Sequence, residues 1–355
     1  MSRLQRFGRP TTKIAIRLRF VLVVTVGTVI LGLSSPGYAS SSNISPQVAG
    51  LSWTMSPKVF PEVSAADHLA SVSCVSTTFC VAVDLAGNAF EFDGLTWKSM
   101  GRIDAGHDGL WSVDCVSSNF CATADYEGGV LMYDGKGWSR RHVVDHKVEG
   151  AFISCASATF CAFVDGTKSP DGSVGFYEPG DVSLYRNSKW SNPIVIDKNH
   201  GGFTSVSCPT TNFCEAMTYL GDAYRYSGST WTGPVTLDFN DSQFDGTSVS
   251  CASNVFCVMA NPNGHASIFR GATWTPAKEN DPKFGSETAV SCVSNNFCAS
   301  VDTGGAGLVF NGTSWSKPVT FDTHRVSLYS SLSAISCISN KFCVAVGLKY
   351  AFIGR

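Results

Sequence analysis

The 355-residue sequence has no long stretch of helical periodicity. Its apolar residues fall in short or alternating runs separated by Gly, Asp, Asn and Ser, which excludes a helical architecture and points to β-structure throughout. Charge is scarce, with Asp, Glu, Lys and Arg making up 15 % of the chain. Residues 1–39 hold six basic residues and no acidic one, so the remainder carries 20 basic against 28 acidic residues, a formal charge of −8. A surface of that sign repels phosphate and argues against nucleic acid or anionic lipid as a partner. Phosphate-binding loops, Gly-x-Ser-x-Gly elbows and Cys-x-x-Cys pairs are also missing from residues 40–355, which removes the usual signatures of nucleotide, serine-hydrolase and dithiol chemistry.

What is present begins with a basic stretch (Arg3, Arg6, Arg9, Lys13, Arg17, Arg19), an apolar run over residues 20–33, and SSPGYAS. That order predicts a secretory signal peptide cleaved after Ala39, with small Gly37 and Ala39 at the peptidase positions. The run is 14 residues long, short of the about 20 that a membrane-spanning helix needs. An uncleaved anchor is the lesser alternative, and no membrane insertion is expected after cleavage. The expected product is secreted.

All 14 cysteines form Cys-x5-Cys pairs: Cys74 and Cys80, Cys115 and Cys121, Cys155 and Cys161, Cys208 and Cys214, Cys251 and Cys257, Cys292 and Cys298, Cys337 and Cys343. An even count in an exported chain predicts disulfides. Zinc is the weaker reading, since it takes about four close ligands, usually with cysteines two to four residues apart.

First cysteines recur every 40 to 53 residues, the period of a four-stranded propeller blade. Seven units repeat, for example SVSCVSTTFCVAV and AVSCVSNNFCASV. In each, strand a is expected to end at the first cysteine and strand b to begin at the second, with a disulfide-clamped five-residue loop between them. Phe92, Tyr133, Tyr185, Tyr226, Phe269 and Phe310 end strand c, and Trp97, Trp138, Trp190, Trp231, Trp274 and Trp315 start strand d. Gly or Asn stands three places before each Trp, where a tight c–d turn needs positive φ. The last unit stops at Arg355 without a Trp. The stretch 50–60, with Trp53, reads as its missing strand d. The expected fold is therefore all-β, a seven-bladed β-propeller whose last blade is closed by the N-terminal strand. Its segments are signal peptide 1–39, flexible linker 40–49 and propeller 50–355, blade 7 being about 333–355 plus 50–60.

Sevenfold aromatics read as packing, so a unique site belongs where the units differ. The d–a and b–c loops share one face and carry that variation, including an insertion of about a dozen residues at 166–180. Candidate ligand residues there are His68, Asp104, His107, Asp108, Trp111, His146, His200, Phe203, His324, Arg325 and Tyr329, with His265 in a b–c loop. Rings and polar groups in such a mouth suit a carbohydrate or protein ligand, and loop filling or, for Trp111, a packing wedge is the plainer role. Spacing supports no metal site and no cofactor: DFNDSQFDG has Gln243 for the turn glycine of a calcium loop and Val249 for its closing glutamate.

The turns FDGLTW, YDGKGW and FNGTSW resemble the Asp-box (BNR) repeats of sialidase-like propellers and the repeats of photosystem assembly-factor propellers, and the chain is similar to secreted bacterial propellers with Ser-Cys-x-Ser-x-x-x-Cys units. The resemblance implies the propeller fold. It departs from the Asp box in having Phe or Tyr five residues before the Trp, and the Arg-Ile-Pro motif of sialidases is missing. Strand order leaves Arg325 alone on the variable face, without the arginine triad a sialidase needs. The expected function is a secreted non-catalytic binding or scaffold protein recognising glycan or protein at the cell surface. The alternatives are a glycoside hydrolase using two of Asp108, Glu149 and Asp245, and a purely structural envelope protein.

Overall fold

A computed structural model describes residues 47–48, 50–56, 60, 68–106, 109–146, 148–167, 179–198, 201–237, 247–280, 287–323 and 332–355. The expected signal segment, most of the blade 3 insertion, and His107, Asp108, His200, Asp245, His324, Arg325 and Tyr329 lie outside these residues, as does the side chain of Glu149.

Seven antiparallel sheets follow one another along the chain. Strand a of each blade is Leu69–Ser76, Leu110–Ser117, Val148–Ser157, Phe203–Thr210, Ser248–Ser253, Glu287–Ser294 or Ala334–Ser339. Each lies against strand a of the next blade, and the seventh lies against the first. The fold is thus a seven-bladed β-propeller with strand a innermost. Strand b is buried on both faces, as Phe79–Asp84, Phe297–Asp302 and Phe342–Gly347 show, which explains its unbroken apolar character.

Closure occurs as the Trp register predicts. Leu51–Met55 pairs antiparallel with Tyr350–Gly354, placing Trp53 opposite Gly354 and Met55 opposite Phe352. The Trp53 ring stacks on Phe321 of blade 6 with centroids 4.3 Å apart, and a Cβ on Gly354 would press into the indole. Gln47–Val48, inside the stretch expected as linker, adds a further strand by pairing with Leu51 and Ser52.

The seven cysteine pairs are disulfides. The expected five-residue loop is corrected: the hairpin continues past the bond, with Cys74 opposite Cys80, Ser76 opposite Phe79, and a bulge between Cys74 and Ser76. One extra residue on strand a absorbs the odd count. The turn is then two residues long, and Ser76 Oγ accepts the Thr78 amide at 3.2 Å. At the c–d turns Gly94 has φ 96° and Asn187 φ 50°, as the hairpin requires.

The interaction that joins the blades involves serine. Strand a is an edge strand, so alternate amides face away from its own sheet and need partners. In every blade the amide of the first cysteine donates to the side chain just before the first cysteine of the preceding blade. Cys115 donates to Ser73 Oγ (3.0 Å), Cys155 to Asp114 Oδ2 (2.7 Å), Cys208 to Ser154 Oγ (3.0 Å), Cys251 to Ser207 Oγ, Cys292 to Ser250 Oγ and Cys337 to Ser291 Oγ (2.9 Å each), and Cys74 to Ser336 Oγ (3.0 Å). The circuit closes across the chain termini.

Asp114 is the one carboxylate in this ring. It also accepts from Ser73 and Ser154, yet burial pushes its pKa up to about 6. Its folded value lies above its unfolded one, so its contribution is complete below about pH 4 and is lost as pH rises through about 6.

Two outcomes follow from this packing. Trp53→Ala should cost about 3–5 kcal/mol by removing a buried aromatic, read as a lower thermal midpoint with the disulfides intact. Asp114→Ser, which installs the residue of the other six blades, should gain on wild type by about 1–3 kcal/mol between pH 4 and pH 7. Thermal melts of both proteins across that range measure the difference, which should be flat above pH 7.

Candidate functional site

The b–c and d–a connections are built on aspartates that the fold buries. Asp84, Asp125, Asp165 and Asp302 end strand b, Asp104, Asp145, Asp197 and Asp322 follow strand d, and Asp181 and Asp222 begin strand c. All are at most 8 % exposed. Asp84, Asp125 and Asp302 cap the b–c turn. Asp84 Oδ1 accepts the amides of Ala86 (3.0 Å) and Asn88 (2.7 Å), and Asp125 Oδ1 those of Glu127 (2.9 Å) and Gly129 (2.8 Å). Asn261 does the same in blade 5, and Thr218 Oγ1 caps Asp222 in blade 4. The aspartate after strand d docks on its own blade's turn: the amides of Asp104 and Asp145 donate to the carbonyls of Gly87 and Gly128.

These rows meet at blade junctions, and each junction handles the buried charge differently. Between blades 1 and 2, Arg141 pairs through Nε and Nη2 with Asp125, the Nη2–Oδ1 distance being 2.9 Å, and its charge also acts on Asp104. The pair fills the space beside Gly129 that any Cβ would need. Between blades 3 and 4 the Tyr224 hydroxyl donates to Asp197 Oδ1 at 3.1 Å. Between blades 2 and 3, Asp145, Asp165 and Asp181 bring one carboxylate oxygen each within 4.8 Å of the others. Burial, followed by the Asp145 and Asp181 charges, raises the Asp165 pKa well above the carboxylate range.

The candidate ligand residues divide. His146 is exposed and His68 half-buried. Trp111, in strand a of blade 2, is partly buried with its ring 5.3 Å from that of Tyr126 on the adjoining b–c turn. Phe203 and Asp104 are corrected: Phe203 is 3 % exposed, packed on Gly180 and edge-on to Tyr224 at 5.5 Å, and Asp104 is 2 % exposed. Burial removes both from a rim. Tyr126 and the aspartate rows were missed. The recurrence of Asp at the end of strand b, at Asp84, Asp125, Asp165 and Asp302, is the sequence signal that points to them.

Three arginines are committed to the opposite face. Arg186, Arg270 and Arg355 lie over Phe160, Phe256 and Phe342. Each also donates to a c–d turn carbonyl, of Gly228 (3.2 Å), Gly312 (2.8 Å) and Gly94 (3.2 Å). Clefts between outer strands are modest, the one lined by Met132, His142, Tyr185 and Trp190 having about 380 Å³.

This geometry defines a disulfide-braced seven-bladed β-propeller, a fold typical of binding and scaffold domains. No family model matches the chain, and no curated protein matches it in sequence. Among solved structures it is similar to "YCF48 bound to D1 peptide" at 14 % identity and a TM-score of 0.59, covering 85 % of this chain and 96 % of that one. It is also similar to the WD40 β-propeller domain of Doa1 at 10 % identity and a TM-score of 0.63, covering 85 % and 97 %. Identities this low establish the fold. Seven disulfides indicate an oxidising environment. Among the described residues, no helix is long and apolar enough to cross a membrane.

Arg141→Met should destabilise by about 2–4 kcal/mol, below the range for a fully buried pair, because Arg141 is itself 16 % exposed. Adding Asp125→Asn should restore part of that loss, measured as a double-mutant cycle in denaturant melts.

Proposed function

We propose that the protein is a secreted, non-catalytic binding or scaffold propeller that presents its b–c and d–a face to a protein or glycan partner at the cell surface. One observation carries the reading. The repeated chemistry, disulfides and serine bridges included, is spent on holding the ring, while the partly exposed Trp111 and Tyr126 rings stand on the face where the units differ. Aromatic rings of this kind supply contact area at little entropic cost, and the exposed imidazole of His146, in the linker after blade 2, offers a polar contact. The N-terminal basic and apolar segments support export, as the disulfides do. The structural neighbour with a bound D1 peptide supports a peptide-binding use of the fold.

The hydrolase alternative draws less support. Its candidate carboxylates Asp108 and Asp245 and the side chain of Glu149 lie outside the described residues, and the arginines that stack on Phe160, Phe256 and Phe342 are already engaged.

Binding of the exported full chain to arrayed glycans, cell-wall fractions and surface-protein peptides tests the proposal. Trp111→Ala should weaken the captured interaction about tenfold or more, the loss of an aromatic anchor, without lowering the yield of oxidised protein. Turnover of a fluorogenic glycoside, or equal binding by wild type and Trp111→Ala, would set the reading aside.

A further inference from the structure

We propose that Asp145, Asp165 and Asp181 form a calcium-class cation site at the junction of blades 2 and 3. The argument is internal to the fold. Asp165 occupies the strand-b end that Asp84 and Asp125 occupy in blades 1 and 2, and the registers Val164–Val182 and Ala124–Val130 place Asp181 where blade 2 has Gly129. Asp145 corresponds to Asp104, each lying seven residues after its Trp. The two junctions are therefore the same construction with different side chains. In the first, the aspartates enclose the Arg141 guanidinium. In the second, Pro193 stands at the position of Arg141, three residues after the Trp, and a third carboxylate occupies the space beside the strand-c start.

Asp165 has also lost the structural role of its counterparts. The tight b–c turn that Asp84 and Asp125 cap is replaced by the insertion, and Asp165 keeps only the Asp181 backbone amide. It is 1 % exposed, and its Oδ1 has no hydrogen-bond partner. Asp145 from the linker after blade 2 and Asp181 from strand c both repel its ionised form.

A hard oxygen-only donor set selects calcium or magnesium over the softer transition metals. The three oxygens lie within 4.8 Å of one another, close enough for one ion at about 2.4 Å to reach them all, and a buried set of three carboxylates suits calcium better than magnesium, which gives up its waters reluctantly and is usually held by only one or two carboxylates. The ion would take the place that the guanidinium holds one blade earlier and tie three chain segments from two blades together.

The test uses the exported, oxidised full chain after chelator treatment, titrated with calcium chloride by calorimetry and followed by thermal melting. Wild type should bind one ion per chain with a dissociation constant of about 0.1–1 mM, the range of extracellular calcium modules, and melt about 5 °C higher at saturation. Asp165→Asn should weaken binding at least about tenfold. Asp84→Asn, the change that blade 5 already tolerates as Asn261, should leave affinity unchanged. Pro193→Arg combined with Asp181→Gly, which reopens the space that Gly129 leaves for Arg141, should restore the arrangement of blade 2, abolishing the calcium response and raising the midpoint in chelator. The proposal is overturned by wild-type protein that shows neither heat nor a midpoint shift with calcium, by equal losses in Asp165→Asn and Asp84→Asn, or by a site that takes magnesium alone.

Discussion

The inner edge of each blade is the constraint on which the ring depends. A strand at the edge of a sheet exposes a row of amides, and seven such edges converge at the centre of this molecule, where another strand cannot pair with them. The residue before each first cysteine resolves this by lending a side-chain acceptor to the next blade, Asp114 in blade 2 and Ser in the other six. Each bond is worth only about 0.5–1.5 kcal/mol, but an unmet buried amide costs more than a met one gains. A short hydroxyl suits the place because it accepts without adding volume between Val72, Val113, Val249 and Val290, which are buried at the same level. The circuit has no free end only if blade 7 meets blade 1, so the pairing of Trp53 with Gly354 and the Cys74–Ser336 bond serve the same requirement.

Most of this fold was legible in the chain. Period, cysteine pairing and the aromatic-to-Trp spacing are local facts that survive without tertiary information, and the positive φ at Gly94 and Asn187 follows from a turn length read directly from sequence. The hairpin boundary was less accessible. Five residues between cysteines look like a loop, whereas a bulge lets strand pairing continue to Ser76 and Phe79. The serine bridges were not legible, because a Ser among alternating apolar residues has the same appearance whether it faces solvent or a neighbouring amide.

The functional face was read less well, for a related reason. An Asp three residues before a Gly suggests an exposed turn, but here the turn folds over its own cap and buries it, as with Asp84 and Asp125. Asp145, Asp165 and Asp181 belong to three connections in two blades, so no spacing rule joins them. Phe203 shows the converse: an aromatic at a loop end has the look of a rim residue, while Gly180 opposite leaves a space that the ring fills.

Sevenfold repetition turns each departure into information, since six other copies show what the fold alone requires. The departures concentrate in blades 2 and 3. Asp114 stands in a ring of serines, Arg141 brings a guanidinium to a junction of aspartates beside Gly129, and the b–c connection of blade 3 is the enlarged one. Trp111, the one tryptophan outside the repeated register, sits in the same sector beside Tyr126. A buried carboxylate such as Asp114, whose protonation is favoured by burial, lowers stability at neutral pH relative to the serine used elsewhere, so folding alone gives no reason to keep it. Costs of that kind, gathered on one side of an otherwise uniform scaffold, mark the sector in which the molecule gives up symmetry.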